Sequence, residues 1–210
     1  MLHKAEEWKL IFKVPKFRLM KEHGRLLRLD AENESKLIAA AALCNWRPSS
    51  FELFRDVLML MRDTGIRNER ELYRIRVEHI DWFKGLIFVP ESKTPNGRRE
   101  VPISNRVIPL LAARCAGRTE RWLFPSKRSS AGHLTTVGKL YRAARDKACL
   151  QKDLALYSSR HDFGTRMLRK TGNLAAVMKV MGHKDVRTAM RYQHPELDIV
   201  RDALNDQVVQ

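Results

Sequence analysis

Helical periodicity runs through most of the chain after residue 30, and this pattern constrains the fold more than any other feature. Apolar spacing predicts helices at residues 31–43, 49–64, 105–116, 134–149, 160–171, 173–181 and 185–194, with a further short helix after residue 65. Ser49 and Glu52 have the spacing of a capping box, which predicts the start of the second helix. Gly65, Gly172 and Gly182 are predicted to end three helices, since glycine readily adopts the left-handed conformation of a helix end.

Two short β runs interrupt this helical pattern. Residues 86–90 (LIFVP) and 101–103 (VPI) flank a polar turn at 93–99, as expected for a hairpin. In the basic first 30 residues, WKLIF (8–12) and RLLRL (25–29) are candidate short strands. The sequence therefore predicts an α+β domain that is mostly helical and carries a small antiparallel sheet or hairpin.

The charge of the chain favours a polyanionic partner. Its 210 residues include 40 Lys and Arg against 24 Asp and Glu, a formal net charge of +16. Basic proteins gain affinity for nucleic acid because binding releases condensed counterions. Ribosomal, RNA-binding and membrane-surface proteins share this property, so charge alone does not identify the function.

Cysteine usage and hydropathy indicate a cytoplasmic protein. The three cysteines are far apart and form no C-x-x-C pair, which argues against a disulfide scaffold or a Cys-rich zinc site. No run approaches the roughly 20 apolar residues of a membrane span. The start, MLHKAEEWKL, contains acidic residues and no apolar core, so it does not resemble a signal peptide.

Four separated motifs carry the functional signal. They are Thr64-Gly65-Ile66-Arg67; Ser92-Lys93-Thr94 followed by Arg98 to Ser104; Tyr157-Ser158-Ser159-Arg160-His161; and Met181-Gly182-His183 with Tyr192-Gln193-His194. Each alone is weak, because a basic side chain in so basic a protein is usually a solvated surface charge. Together, and in this order, they resemble the tyrosine recombinase family of phage-type integrases. That pattern runs T-G-x-R, K-T, H-x-x-R-H, L-G-H and Y-x-H, and the resemblance covers roughly residues 30–195.

The resemblance implies DNA strand transfer, and the residue types suit that chemistry. Arg67 and Arg160 would grip the nonbridging oxygens of a phosphodiester, which guanidinium groups do better than lysine. Tyr192 would attack phosphorus and form a 3′-phosphotyrosine, which conserves the bond energy for religation. The family's strand exchange therefore needs no ATP, cofactor or metal ion.

The remaining site residues are also assigned by resemblance. A phenol has a pKa of about 10, so the nucleophile needs help to lose its proton near neutral pH. Lys93, in the hairpin turn, matches the family's general acid for the 5′ leaving group, and His183 matches the residue that hydrogen-bonds the scissile phosphate. His161 and His194 are expected to support the site. Tyr73 and Tyr141 are predicted to lie in amphipathic helices and are expected to be structural.

Two positions depart from the family pattern. Tyr157 replaces the usual histidine; a phenol can donate a hydrogen bond to phosphate but cannot carry a positive charge. We expect activity to be retained. The acidic residue that normally follows the first arginine by three positions is Arg70 here, between two glutamates. Glu71 is the expected supporting carboxylate, through a shift of one residue.

The domain organisation follows from the resemblance. We expect an entry or linker segment at 1–29, a tyrosine recombinase catalytic domain at 30–195 and a C-terminal tail at 196–210. Family members usually carry a helical core-binding domain upstream, where this chain has about 30 residues before the catalytic pattern. We therefore expect the chain alone to bind DNA weakly and not to recombine it.

The expected partners are double-stranded DNA and further copies of the chain, assembled as a tetramer on two DNA sites. No membrane or nucleotide cofactor is expected. The amphipathic tail could dock on a neighbouring copy or pack on its own domain. Two other functions remain open: a truncated integrase remnant that binds DNA without efficient cleavage, and a DNA relaxer that resembles type IB topoisomerases.

Overall fold

The computed structural model describes residues 2–14, 27–90, 98–117, 121–183, 185–190 and 192. The helices are α1 (Leu2–Glu7), α2 (Ala31–Ala42), α3 (Pro48–Thr64), α4 (Ile108–Cys115), α5 (Gly138–Lys147), α6 (Ser158–Thr171), α7 (Leu174–Met181) and α8 (Val186–Met190). The strands are β1 (Ile80–Asp81), β2 (Leu86–Val89) and β3 (Arg99–Pro102). The predicted fold class, a mostly helical α+β domain with a small antiparallel sheet, is confirmed. Within these ranges, no helix is long and apolar enough to cross a membrane.

The ends of the helices agree in part with the sequence prediction. Gly65, Gly172 and Gly182 do end α3, α6 and α7, each in the left-handed conformation. The predicted capping box at Ser49 is wrong, because α3 begins one residue earlier, at Pro48, and has no side-chain cap. Proline suits the first turn of a helix, where its missing N–H would have no helical partner.

Two other helices are shorter than predicted. The helix predicted at 105–116 spans only Ile108–Cys115, and the one predicted at 134–149 spans Gly138–Lys147. The short helix expected after residue 65 is instead two 3₁₀ turns, Leu72–Arg74 and Val77–His79. Short 3₁₀ turns of this kind commonly connect longer elements and leave little periodic signal in a sequence.

The sheet has three strands in the order β1-β2-β3, all antiparallel. Ile87 pairs with Val101, and Val89 pairs with Arg99, which was assigned to the turn in the sequence analysis. β1 was missed because two residues are too short to show an alternating pattern. The strands predicted at 8–12 and in the described part of 25–29 are wrong: residues 8–12 and 27–29 form no strand.

Two buried clusters hold the domain together. The larger one lies around α3, where α2 packs on α5 and α3 packs on α6, and its fully buried members include Phe54, Leu58 and Met61. The smaller cluster lies among α6, α7 and α8 and comprises Phe163, Leu168, Val177, Met181, Ala189 and Tyr192. Tyr192 is therefore fixed by packing against the helices that carry Arg160 and precede His183.

Candidate active site

Arg160 lies at the centre of the site, in the first turn of α6, and none of its surface is exposed. Its Nη1 donates to the carbonyl of Gly65 and its Nη2 donates to the carbonyl of Met181. Nη2 also lies 3.0 Å from Nε2 of His183. Burial, and then the nearby charge of Arg67, lower the pKa of Arg160 to about 10, so it remains a cation at neutral pH.

Arg67 is held beside this centre by Glu71. Nη1 of Arg67 donates to Oε1 of Glu71 at 2.6 Å, and the backbone N–H of Arg67 donates to Oε2 at 2.9 Å. The Arg67 side chain keeps about a quarter of its surface exposed, whereas the Glu71 side chain is fully buried. The structure thus places Glu71, four residues after Arg67, where the sequence pattern led us to expect a supporting carboxylate.

Arg99 is a site residue that the sequence analysis missed. Its Nη2 donates to Oε2 of Glu71 at 2.8 Å and its Nη1 donates to Oε1 at 3.2 Å. Burial alone would raise the pKa of Glu71, but hydrogen bonds and charge from Arg99, and then from Arg67, lower it to about 2. One signal could have found this residue: extending the strand pattern back from Val101 puts Arg99 on the same inward face.

His183 is oriented by its contact with Arg160. A guanidinium can only donate, so Nε2 of His183 accepts from Arg160 and the ring proton of the neutral histidine lies on Nδ1. Burial lowers the pKa of His183 to about 4, and the charges of Arg160, Arg67 and Arg99 contribute. The imidazole is therefore a neutral hydrogen-bond donor over the physiological pH range.

This state of His183 can be measured in the DNA-free protein. We expect its imidazole to titrate with a pKa of about 4 in a carbon-detected NMR titration, well below the 6.5 of an ordinary histidine. Because the folded pKa is lowered, the unfolded chain binds the proton more readily, and stability is lost as pH falls from 6.5 toward 4. His183→Gln identifies the resonance. A midpoint near the ordinary value would contradict this placement.

Tyr192 is packed against two histidines. Its ring stacks on His183, with centroids 5.7 Å apart and an interplanar angle of 8°, and lies 6.0 Å from the ring of His161. It is only 5% exposed. A Cβ added at Gly164 would come within 2.9 Å of this ring, so α6 must present glycine at that point.

The other tyrosines have different surroundings. Tyr157 stands at the start of α6, is 41% exposed and makes an edge contact with His161 at 5.5 Å. Tyr73 and Tyr141 are buried in the larger core, and burial raises the pKa of each phenol to about 12. Both are thus packed and hard to ionise, as expected for structural residues.

The structure brings together Arg67, Glu71, Arg160, His161, His183 and Tyr192 from the sequence-predicted set. Tyr157 lies at the edge of this group, beside His161. Lys93, in the segment between β2 and β3, and His194 lie outside the described residues. Over the described ranges, no group of three or more His, Cys, Asp or Glu side chains is arranged to hold a metal ion.

Comparison with known families identifies the chain. A profile of the phage integrase family matches residues 28–197. The chain belongs to the phage integrase family. This confirms the resemblance to tyrosine recombinases and phage-type integrases that the four motifs indicated.

Curated relatives of this integrase-family chain are tyrosine recombinases. XerD of Staphylococcus saprophyticus is 28% identical over 163 residues, covering 72% of this chain and 53% of the relative. XerA of Saccharolobus solfataricus is 30% identical over 148 residues, covering 70% of this chain and 47% of the relative. The chain therefore spans about half the length of these relatives.

Solved structures share the fold of this integrase-family chain. The Tn1549 transposon integrase in complex with a circular intermediate DNA has a TM-score of 0.75 and 19% identity, covering 98% of this chain and 75% of that one. The XerH recombinase bound to its difH substrate, in a pre-cleavage complex, has a TM-score of 0.68 and 16% identity, covering 94% and 59%. At these identities the likeness concerns the fold.

Proposed function

We propose that this chain is the catalytic part of a site-specific DNA recombinase, an enzyme that cleaves and rejoins DNA strands through a 3′-phosphotyrosine at Tyr192. The observation that carries the proposal is the meeting of Arg160, from the third motif, with His183 and Tyr192, from the two ends of the fourth. Arg160 touches His183, and His183 stacks on Tyr192. The curated relatives bear the name tyrosine recombinase, and the structural neighbours include a transposon integrase in complex with DNA and a site-specific recombinase bound to its difH substrate.

The polar atoms of the site suit a phosphodiester. In the described part of the chain, Nε of Arg160 and Nδ1 of His183 are buried and have no hydrogen-bond partner. Buried polar groups are nearly always paired, so two donors in this condition within one site favour an acceptor ligand there, whereas the other two such atoms, Nε of Arg62 and the hydroxyl of Tyr73, lie away from the site. Arg67, partly exposed beside them, adds a second guanidinium. The nonbridging oxygens of a phosphate would satisfy all three groups.

The proposed reaction is a transesterification. The phenol of Tyr192 gives its proton to a base, which we assign to His161, whose ring lies 6.0 Å from that of Tyr192. As the phenol oxygen bonds to phosphorus, the bond from phosphorus to the 5′ oxygen breaks. The leaving 5′ oxygen takes a proton, which we assign to Lys93. Arg67, Arg160 and His183 stabilise the charge on the nonbridging oxygens as the transition state forms. One phosphoester replaces another, so the reverse reaction rejoins the strand without an external energy source.

The test is covalent capture of DNA by the full chain. A pool of duplexes, randomised around a fixed nick just 3′ of the scissile phosphate, is incubated with the protein. The short fragment that carries the freed 5′ hydroxyl diffuses away, and complexes that survive denaturing detergent are sequenced. We expect a defined site to emerge. Tyr192→Phe should abolish the adduct, because a phenyl ring has no nucleophile, whereas Tyr73→Phe, which removes a hydroxyl from the larger core, should retain it.

The same assay separates this function from its alternatives. Exchange between two copies of the selected site would select the recombinase, and it would also overturn the expectation that the chain alone does not recombine DNA. Relaxation of plasmids with no site preference would favour a topoisomerase-like enzyme, and DNA binding without an adduct would indicate a remnant. Either of these results would overturn the proposal.

We also propose double-stranded DNA as the partner and a tetramer on two DNA sites as the active assembly. The net charge of +16 favours a polyanionic partner, with affinity that falls as salt rises. The tetramer is inferred from the family alone. Sedimentation of the protein with a duplex that carries the captured site would test it: a complex of four chains and two duplexes is expected.

A further inference from the structure

Arg99 joins two parts of the site that lie far apart in the sequence. It is the first residue of β3 and pairs with Val89 of β2, and the alternation of the strand turns it inward with Val101. Only 7% of the residue is exposed. A guanidinium buried to this degree needs partners for its charge and its N–H groups, and its partners here belong to the site.

The first partner is Glu71, and the contact is bidentate. Both oxygens of Glu71 accept from the two terminal nitrogens of Arg99. The same two oxygens accept from the side chain and the backbone of Arg67. Glu71 thus lies between two guanidiniums, and the fork of Arg99 fixes the plane of the carboxylate that orients Arg67.

The second partner is the last turn of α7. Nε of Arg99 donates to the carbonyl of Val180 at 2.6 Å. The next carbonyl, that of Met181, accepts from Arg160, and Gly182 then turns the chain toward His183. A Cβ added at Gly182 would lie 3.2 Å from Nη1 of Arg99, so this turn packs directly on the guanidinium.

We propose that Arg99 is a positioning residue for strand cleavage, which holds Arg67 through Glu71 and holds the turn before His183 through Val180. The inference rests on the proposed function. Arg99 does not act on the phosphate itself; it keeps the groups on either side of the phosphate at a fixed separation. Lysine cannot replace it, because a single ammonium cannot provide both the bidentate contact and the bond to Val180.

The test compares two DNA substrates that differ in phosphate charge. Wild-type, Arg99→Met and Arg99→Lys full chains are given the nicked duplex selected above, with either an ordinary scissile phosphodiester or a methylphosphonate, which lacks one charged oxygen. At saturating DNA, we expect Arg99→Met to slow adduct formation roughly 10- to 100-fold on the phosphodiester, the range found when a group that orients a metal-binding side chain is lost. On the methylphosphonate the loss should be much smaller, since there is less charge for Arg67 to neutralise.

Arg67→Ala and Arg98→Met are the reference variants. Arg67→Ala should show the same dependence on phosphate charge as the Arg99 variants. Arg98 is the exposed neighbour of Arg99, so Arg98→Met removes the same charge one residue earlier. It should leave the rate of adduct formation at saturating DNA unchanged on both the phosphodiester and the methylphosphonate. Unfolding temperatures are measured for every variant. If Arg99→Met does not fold, Arg99→Lys decides, because it keeps the charge and the aliphatic stem.

The outcomes separate this inference from the function on which it rests. A loss that is larger on the phosphodiester than on the methylphosphonate supports a positioning role. Equal losses on the two substrates, or no loss, overturn it, because a merely structural arginine would not distinguish them. Failure of the wild-type chain to form any adduct would instead overturn the proposed function.

Discussion

Replacing Arg160 by lysine is expected to slow adduct formation by about 10²- to 10³-fold, the typical loss when one preorganised donor to a transition-state oxyanion is removed. Because lysine keeps the positive charge, the loss of rate would reflect the geometry of the guanidinium donors. The guanidinium reaches the carbonyls of Gly65 and Met181 and the ring of His183 at once, and it retains Nε for a ligand. One ammonium cannot reproduce this arrangement.

The measurement is single-turnover adduct formation at saturating DNA, with the unfolding temperature measured in parallel. Arg166→Lys is the matched control, because Arg166 lies on the same helix. Its guanidinium donates to the backbone carbonyl of Arg62 and to the carboxylate of Asp162. This control should cleave at nearly the wild-type rate. If Arg160→Lys cleaved as fast as the control, Arg160 would not be the clamp that we propose.

Replacing Gly65 by alanine is expected to destabilise the protein by about 2–5 kcal/mol, the sum of left-handed strain and overpacking. Gly65 ends α3 at φ 63°, a conformation that side chains rarely adopt. An added Cβ would also lie 2.5 Å from Cδ1 of Phe163, a buried ring of α6. Since the carbonyl of Gly65 accepts from Arg160, any shift that relieves the clash would also disturb the site.

Gly172→Ala separates the two causes. Gly172 ends α6 at φ 62°, but an added Cβ there meets nothing within 4 Å. The free energy of unfolding of this control variant should fall only by the backbone strain, about 1–2 kcal/mol. Chemical denaturation of both variants measures the difference, which isolates the clash with Phe163. Equal destabilisation of the two would show that α3 and α6 can separate at this point without cost.

Much of the fold was predictable because its signals are local. The glycines that end α3, α6 and α7 were identified from the sequence, since a left-handed helix end depends on one residue and its immediate neighbours. The hairpin at β2 and β3 was found from two short apolar runs. Strand β1 was missed because two residues are too few to show an alternating pattern. The start of α3 at Pro48 was missed because Ser49 and Glu52 have the spacing of a capping box.

The sequence by itself indicated most of the candidate site residues, but it did not indicate Arg99. The order of the four motifs indicated Arg67, Arg160, His183 and Tyr192, and the spacing of the neighbouring glutamates favoured Glu71. Residue type and the separation between residues can both be read from the sequence without knowledge of the fold. The family that they indicated is confirmed by the match over residues 28–197.

Only the tertiary structure decided how those residues are held. The carbonyls that Arg160 reaches, the stack of His183 on Tyr192 and the contacts of Arg99 with Glu71 and Val180 arise where the end of α3, the turn after it, α6, α7 and β3 come together. Such contacts join residues up to 95 positions apart, and they depend on how helices and sheet meet, which no local pattern encodes. Burial in that packed interior also sets the protonation of His183 and Glu71, because desolvation and neighbouring charge act only once the chain has folded.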